Sequence, residues 1–313
     1  MAGSKSVVLA ALVANGAIAV LKFGAFLLTG SPSMLSETYH SISDTGNQVL
    51  LLIGIRYSGK DPSGEHPFGY GKSQFFYSFL VSVLLFGIAG WESLKHGYGA
   101  IVHGHSAAPG TVTVGSVTFD AVYVSVVVLL GAIAFETYAF VKANAELRRQ
   151  MEKYDWNGLV EAFRSTSDVT TLTAFTEDAI ALGGAMIALV GIVLSRVTGN
   201  HIYDAVSAAL IGVLLMGFAL ALAWENKRLL LGESAPAELE SAFRSIVREQ
   251  PGVTHVDRFR TMFVGPAAIL VAADVSFDPE LNTDDVDADI ERIEEKLREH
   301  DDRVRFVYIE PEL

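Results

Sequence analysis

Six stretches of roughly 20 mostly apolar residues dominate this 313-residue chain, and each is long enough to cross a hydrocarbon layer ~30 Å thick as a helix. They are predicted to begin and end near Val7 and Thr29, Met34 and Tyr57, Ser73 and Leu94, Phe119 and Val141, Thr171 and Leu194, and Tyr203 and Ala223. The first exceeds the ~7–15 apolar residues of a secretory signal core, and no small-residue cleavage site follows it, so it reads as a retained span. A mean hydropathy of +0.36 argues against a soluble globule.

Charge divides the chain in two. Of the net −13, residues 233–313 carry −11, from 20 acidic against 9 basic side chains, so residues 1–232 are nearly neutral. A nucleic-acid partner is excluded, since it would need a basic face. The absence of cysteine excludes disulfides, zinc–thiolate sites and thiol nucleophiles. Lys and Arg cluster at the N-terminus (Lys5), in the second loop (Arg56, Lys60, Lys72), in the fourth (Lys142, Arg148, Arg149, Lys153, Arg164) and at the start of the tail (Lys227, Arg228). By the positive-inside rule, even-numbered loops and both termini are expected on the cytoplasmic side. The expectation is a multi-pass integral protein of the plasma (inner) membrane, with a six-helix domain over 1–228 and a cytoplasmic domain over 229–313.

The acidic tail reads as an αββαβ unit. Ser234 and Pro236 would open a helix containing Leu239, Phe243, Ile246 and Val247, which Pro251 and Gly252 end. Two strands, from Val256 to Val264 and Ala268 to Phe277, flank Gly265 and Pro266. Thr283 would cap a second helix with Val286, Ile290, Ile293 and Leu297 on one face, and Val304 to Ile309 would form a third strand. So small a domain has a limited core, and support by homodimerisation is expected.

An ionisable group inside a span costs at least ~2.5–3.5 kcal/mol on insertion scales, so it marks function by default. His40 and Asp44 lie at i and i+4 in the second stretch, where side-chain roots are ~5–6 Å apart, close enough for one divalent cation to be gripped by both. The fifth supplies Glu177 and Asp178, which as neighbours point about 100° apart, so only one can face a shared site squarely. His40, Asp44 and Asp178 could give three ligands, with Glu177, Asn47 or water as the fourth. Lys22 reads as a snorkelling residue. Glu92 and Glu136, near span ends, read as cheaply exposed, and His103 and His105 as loop decoration.

The run Ser36-Glu37-Thr38-Tyr39-His40-Ser41-Ile42-Ser43-Asp44-Thr45-Gly46-Asn47-Gln48, with His66-Pro67-Phe68-Gly69-Tyr70-Gly71-Lys72, resembles the cation diffusion facilitator family of divalent metal transporters. The extended Asp-Thr-x-Asn-Gln and Ser167-Asp168 resemble its branch that includes an organellar zinc transporter of animals. The resemblance implies six transmembrane helices followed by a ferredoxin-like (metallochaperone-like) αββαβ domain. It also implies a transport site at His40, Asp44, Ala174 and Asp178. Ala174 departs from the commonest pattern, because alanine cannot bind a metal, and Glu177 or Asn47 is the expected replacement. Tyr70 stands where some members carry a histidine, so His66 is expected to order its loop. Asp257, Ala273, Tyr308 and Glu310 occupy the positions of a dinuclear zinc site found in some members, and they include no histidine, so no such site is expected.

The resulting expectation is a transporter rather than an enzyme. It would export a divalent transition metal from the cytoplasm in exchange for protons, with the lipid bilayer and a second copy of the chain as partners. A metal ligand must be deprotonated, and histidine titrates near neutrality, so metal and proton would compete. Imidazole with carboxylates suits Zn2+ first, with Mn2+, Fe2+, Co2+ or Cd2+ as alternatives, and disfavours Mg2+ and Ca2+. No prosthetic group is expected. A non-transporting metal sensor or scaffold is the reading of a different class. A metalloprotease would want His-Glu-x-x-His, which the chain lacks.

Overall fold

The computed structural model describes residues 2–103, 111–114, 117–153, 156–159, 161–162 and 169–312. His105, Arg164 and the Ser167-Asp168 pair lie outside them. The chain forms two compact units, one of residues 1–53, 77–159 and 170–225, the other of 54–76, 160–169 and 226–313.

The first unit is helical. It begins with α1 (Ala2–Thr29) and α2 (Pro32–Ser58). The third apolar stretch is α3 (Ser73–Leu84), a π-helical segment (Leu85–Gly90) and α4 (Trp91–His103). After strands β1 (Thr111–Val114) and β2 (Val117–Asp120) come α5 (Ala121–Lys153), α6 (Val169–Thr198) and α7 (Ile202–Leu231). Among the described residues, five helical stretches are long and apolar enough to cross a membrane.

Helix α2 is not among those five, although its 27 residues are ample length. Its polarity is turned inward. Ser33, Ser36, Glu37, His40, Asp44 and Asn47 are buried, while Ile42, Val49 and Ile53 are exposed. A helix with that inverted pattern needs apolar surroundings outside and polar partners inside, as a bilayer and a bundle interior supply. Its start is fixed from α7: Asp204 accepts from the Ser33 backbone N–H (3.2 Å) and from the Ser33 hydroxyl, satisfying a first-turn donor that the helix cannot. Met34, Val81, Leu85, Leu129, Ile211 and Leu215 belong to the apolar core of this unit. Close approach of α4 to α7 depends on Gly97, where a Cβ would collide with backbone atoms of Ala205 and Ala209.

Hydropathy misplaces several ends. Helix α5 runs to Lys153 rather than Val141, because strong helix formers such as Ala145, Glu146, Leu147, Arg148 and Arg149 continue it after apolar character stops. Phe119 is not the start of a span but lies in β2. Residues rich in β-branched side chains form Thr111–Val114 and Val117–Asp120, which pair antiparallel with Val112 opposite Phe119. His103 closes α4, its ring Nδ1 3.1 Å from the Gly99 carbonyl, rather than decorating a loop.

The second unit contains α8 (Ala237–Arg248), β3 (Val253–Gly265), β4 (Ala268–Phe277), α9 (Thr283–His300) and β5 (Val304–Glu312). The αββαβ order is therefore as expected. Central β4 pairs antiparallel with β3 and parallel with β5, setting Phe259 and Ile309 on either side of Ala273. Phe243 and Val247 of α8 and Ile293 and Leu297 of α9 share one core with Ile269, Val271 and Val275 of β4.

Both expected caps shift. Helix α8 has Pro236, not Ser234, at its N-cap, with no side-chain hydrogen bond there. Asn282 rather than Thr283 caps α9, its Oδ1 accepting from Asp284 (2.9 Å) and Asp285 (3.1 Å). Asn282→Ala should therefore cost about 0.5–2 kcal/mol, read as a lower thermal midpoint of the full chain.

A second local pair makes this unit acid-sensitive. Burial alone would push the Asp301 carboxyl up, but hydrogen bonds from Arg303, one of them 2.7 Å, hold it below the ordinary carboxylate value. A folded pKa below the unfolded ~3.9 gives stability that is present above that value and lost as pH falls through the folded one. The drop in denaturant midpoint between neutral pH and about pH 3 should thus be smaller in Asp301→Asn than in the unaltered chain.

Candidate metal centre

Helical spacing alone places Glu37, His40, Asp44 and Asn47 on one face of α2. His40 Nδ1 lies 3.4 Å from Asp44 Oδ1, and the two side chains are 1% and 10% exposed. That approach is an ion-pair distance, not a hydrogen bond. Both ring nitrogens of His40 and Asp44 Oδ1 are buried and hydrogen-bonded to nothing among the described residues. Buried polar atoms in native proteins almost always have partners. Three on adjacent turns without one form a donor set suited to a cation: a borderline nitrogen beside a hard oxygen.

From α6, Glu177 faces α2. Asn47 Nδ2 donates to Glu177 Oε1 over 2.7 Å. Asp178, the next residue, points about 100° away from Glu177 round the helix. The structure thus joins His40 to Asp44 and Asn47 to Glu177. Among the described residues no three His, Cys, Asp or Glu side chains converge closely enough to hold an ion together. A complete shell would require donors of α2 and α6 to come closer than they stand here.

Two charged residues lie deeper than the sequence suggests. Glu136 is buried at 7% exposure, not cheaply exposed at a span end. Lys22 does not snorkel: its ammonium is wholly buried and pairs with Glu37 Oε2 at 2.7 Å. Opposite charges in consecutive apolar stretches, joined by a short turn, were the available signal. The other expected positions are accounted for locally. His66 packs edge-on against Tyr70 with centroids 4.3 Å apart, and Phe68 packs edge-on against Phe306 of β5. Asp257 accepts from the Ser276 hydroxyl over 2.7 Å. A cavity of about 240 Å³ lies elsewhere in the helical unit, bounded by Thr29, Ser31, Val122, Ile192, His201 and Asp204.

Comparison with known proteins covers both units. The cation efflux transmembrane domain family matches residues 8–231, and the cation efflux protein cytoplasmic domain family matches residues 235–312. The mouse (Mus musculus) protein named proton-coupled zinc antiporter SLC30A9, mitochondrial, is 28% identical over 276 residues, covering 88% of this chain and 46% of that one. Metal tolerance protein C4 of Arabidopsis thaliana is 27% identical over 278 residues, covering 89% of this chain and 58% of that one. Magnetosome protein MamM of Paramagnetospirillum magneticum is 35% identical over 88 residues, 28% of each chain. The chain spans about half the length of the first two relatives.

Proposed function

The chain belongs to the cation diffusion facilitator (cation efflux) family of metal transporters, and from that premise we propose that it exchanges a divalent transition-metal cation, zinc first, for protons across a membrane. The observation that carries this reading is the buried, unsatisfied His40–Asp44 donor pair on the inward polar face of α2. Asp178 and Glu177 of α6 complete the site, and Asn47 orients Glu177 through its side-chain amide. Names of relatives that join zinc with proton coupling support the same assignment.

Each group has a defined task. His40 offers a ring nitrogen to the cation and, when the cation leaves, takes up a proton. Asp44 supplies the anionic oxygen that makes a dehydrated cation tolerable inside a low-dielectric bundle. Competition between metal and proton for these atoms is sufficient for antiport. Opening of the site alternately to each side supplies transport, with α2 and α6 as the moving pair. The proposed direction is export from the cytoplasm, the side expected to hold both termini, and the acidic domain joins two copies of the chain. Manganese or iron is the second reading for the cargo, favoured by Ala174, which leaves one imidazole among carboxylates.

Proteoliposomes holding a zinc-sensitive dye test the reading. Zinc flux should rise with an imposed pH gradient and collapse when a protonophore dissipates it. Flux indifferent to the gradient would contradict proton exchange.

A further inference from the structure

The Lys22–Glu37 pair is not absorbed by the site just described, yet it adjoins it. Glu37 lies three residues before His40, on the same face of α2, and neither partner of the pair is exposed. Only one Glu37 oxygen is engaged by Lys22. The other, Oε1, is buried with no hydrogen-bond partner among the described residues, and it is aimed at α6. There Gly184 makes room for it: a Cβ at that position would stand 2.6 Å from Glu37 Oε1. Gly184 falls two helical turns beyond Glu177, so the free oxygen occupies the next layer of the same α2–α6 seam. Lys22 in turn is held to Glu37 by a 2.7 Å ion pair, three residues before His40 on α2.

A lysine and a glutamate that served packing alone would be expected to satisfy each other and their surroundings, because a buried pair gains little over apolar residues of the same volume. Here half of the carboxylate is withheld from the pair and held clear by a glycine. Resting on the transport reading above, we propose that Glu37 is a further ligand for the metal cargo and that Lys22 is a tethered cation competing with the cargo for it. With no metal bound, the ammonium neutralises Glu37. As the cation moves along the seam from His40 and Asp44, Glu37 Oε1 receives it and the contact with Lys22 lengthens. The fixed positive charge would also set selectivity, since a monovalent ion gains too little to displace an ammonium that a divalent ion can displace.

Zinc affinity of the purified full-length protein, measured by calorimetry on folded samples, tests this. Glu37→Gln should weaken binding on the order of tenfold or more, because it removes a ligand and leaves the buried Lys22 ammonium uncompensated close to the cation. Since that variant leaves a buried charge, Lys22→Met with Glu37→Gln is the decisive one: it removes both charges in near-isosteric form and should fold. The double variant should bind zinc on the order of tenfold more weakly than the unaltered protein, yet more tightly than Glu37→Gln alone. A folded double variant with unaltered zinc affinity would overturn the proposal and leave the pair a packing element. Failure of the unaltered protein to bind zinc through His40 would instead defeat the transport reading, so the two failures are distinguishable.

Discussion

Asp44→Ala should reduce pH-driven zinc flux at least about 100-fold while leaving the protein folded and membrane-inserted. The magnitude follows from the role proposed for the side chain. Groups that merely orient a metal ligand are worth roughly 10–100-fold in affinity or activity, and Asp44 is proposed as a ligand itself. Folding is expected to survive because Asp44 Oδ1 makes no hydrogen bond among the described residues and removal of a buried carboxylate relieves a desolvation cost. Transport and stability should therefore move in opposite directions, a signature that a packing residue would not give. Flux through Asp44→Ala equal to that of the unaltered protein, at matched reconstitution, would remove the carboxylate from the mechanism.

The second large effect is thermodynamic and lies in the other unit. Phe243 is fully buried, its ring 5.8 Å from that of His300, and it links α8 to the core of the sheet. Phe243→Ala should cost about 3–5 kcal/mol, the usual range for emptying a phenylalanine site. At ~0.05–0.15 kcal/mol per residue, a domain of this size holds only about 4–12 kcal/mol in total. Amide exchange of Ala268–Phe277 in the full-length protein should therefore accelerate by roughly 100-fold or more. Unchanged protection of that strand would show that α8 contributes little to the core.

Where one elementary rule governed, the outcome was legible in the sequence. Apolar length located the helices of the first unit apart from α2, whose buried polar face leaves it outside the five apolar spans, and period-2 and period-3.6 patterns gave the αββαβ order of the second. The i, i+4 spacing of His40 and Asp44 put them together because both lie on one continuous helix. What escaped were features set by two competing effects. The end of α5 was misplaced because helix propensity carries the chain to Lys153 after hydropathy has failed. Strands β1 and β2 were hidden by the apolar residues that follow them. The length of Lys22 permits snorkelling, whereas only the approach of α1 to α2 reveals Glu37 beside it. Of the adjacent Glu177 and Asp178, the rotation of α6 decides which meets α2, and no single-helix argument fixes that rotation. Here it is Glu177, through Asn47.

The role of the His40–Asp44 pair as the cargo's first ligands can be tested without transport at all. An X-ray absorption spectrum of the purified protein with one equivalent of zinc should show mixed nitrogen and oxygen ligation at about 2.0–2.2 Å, including the outer-shell scattering of one imidazole. His40→Ala should abolish the imidazole signal. A zinc spectrum that keeps its imidazole in His40→Ala, or that shows only oxygen donors in the unaltered protein, would place the cargo elsewhere and contradict the account.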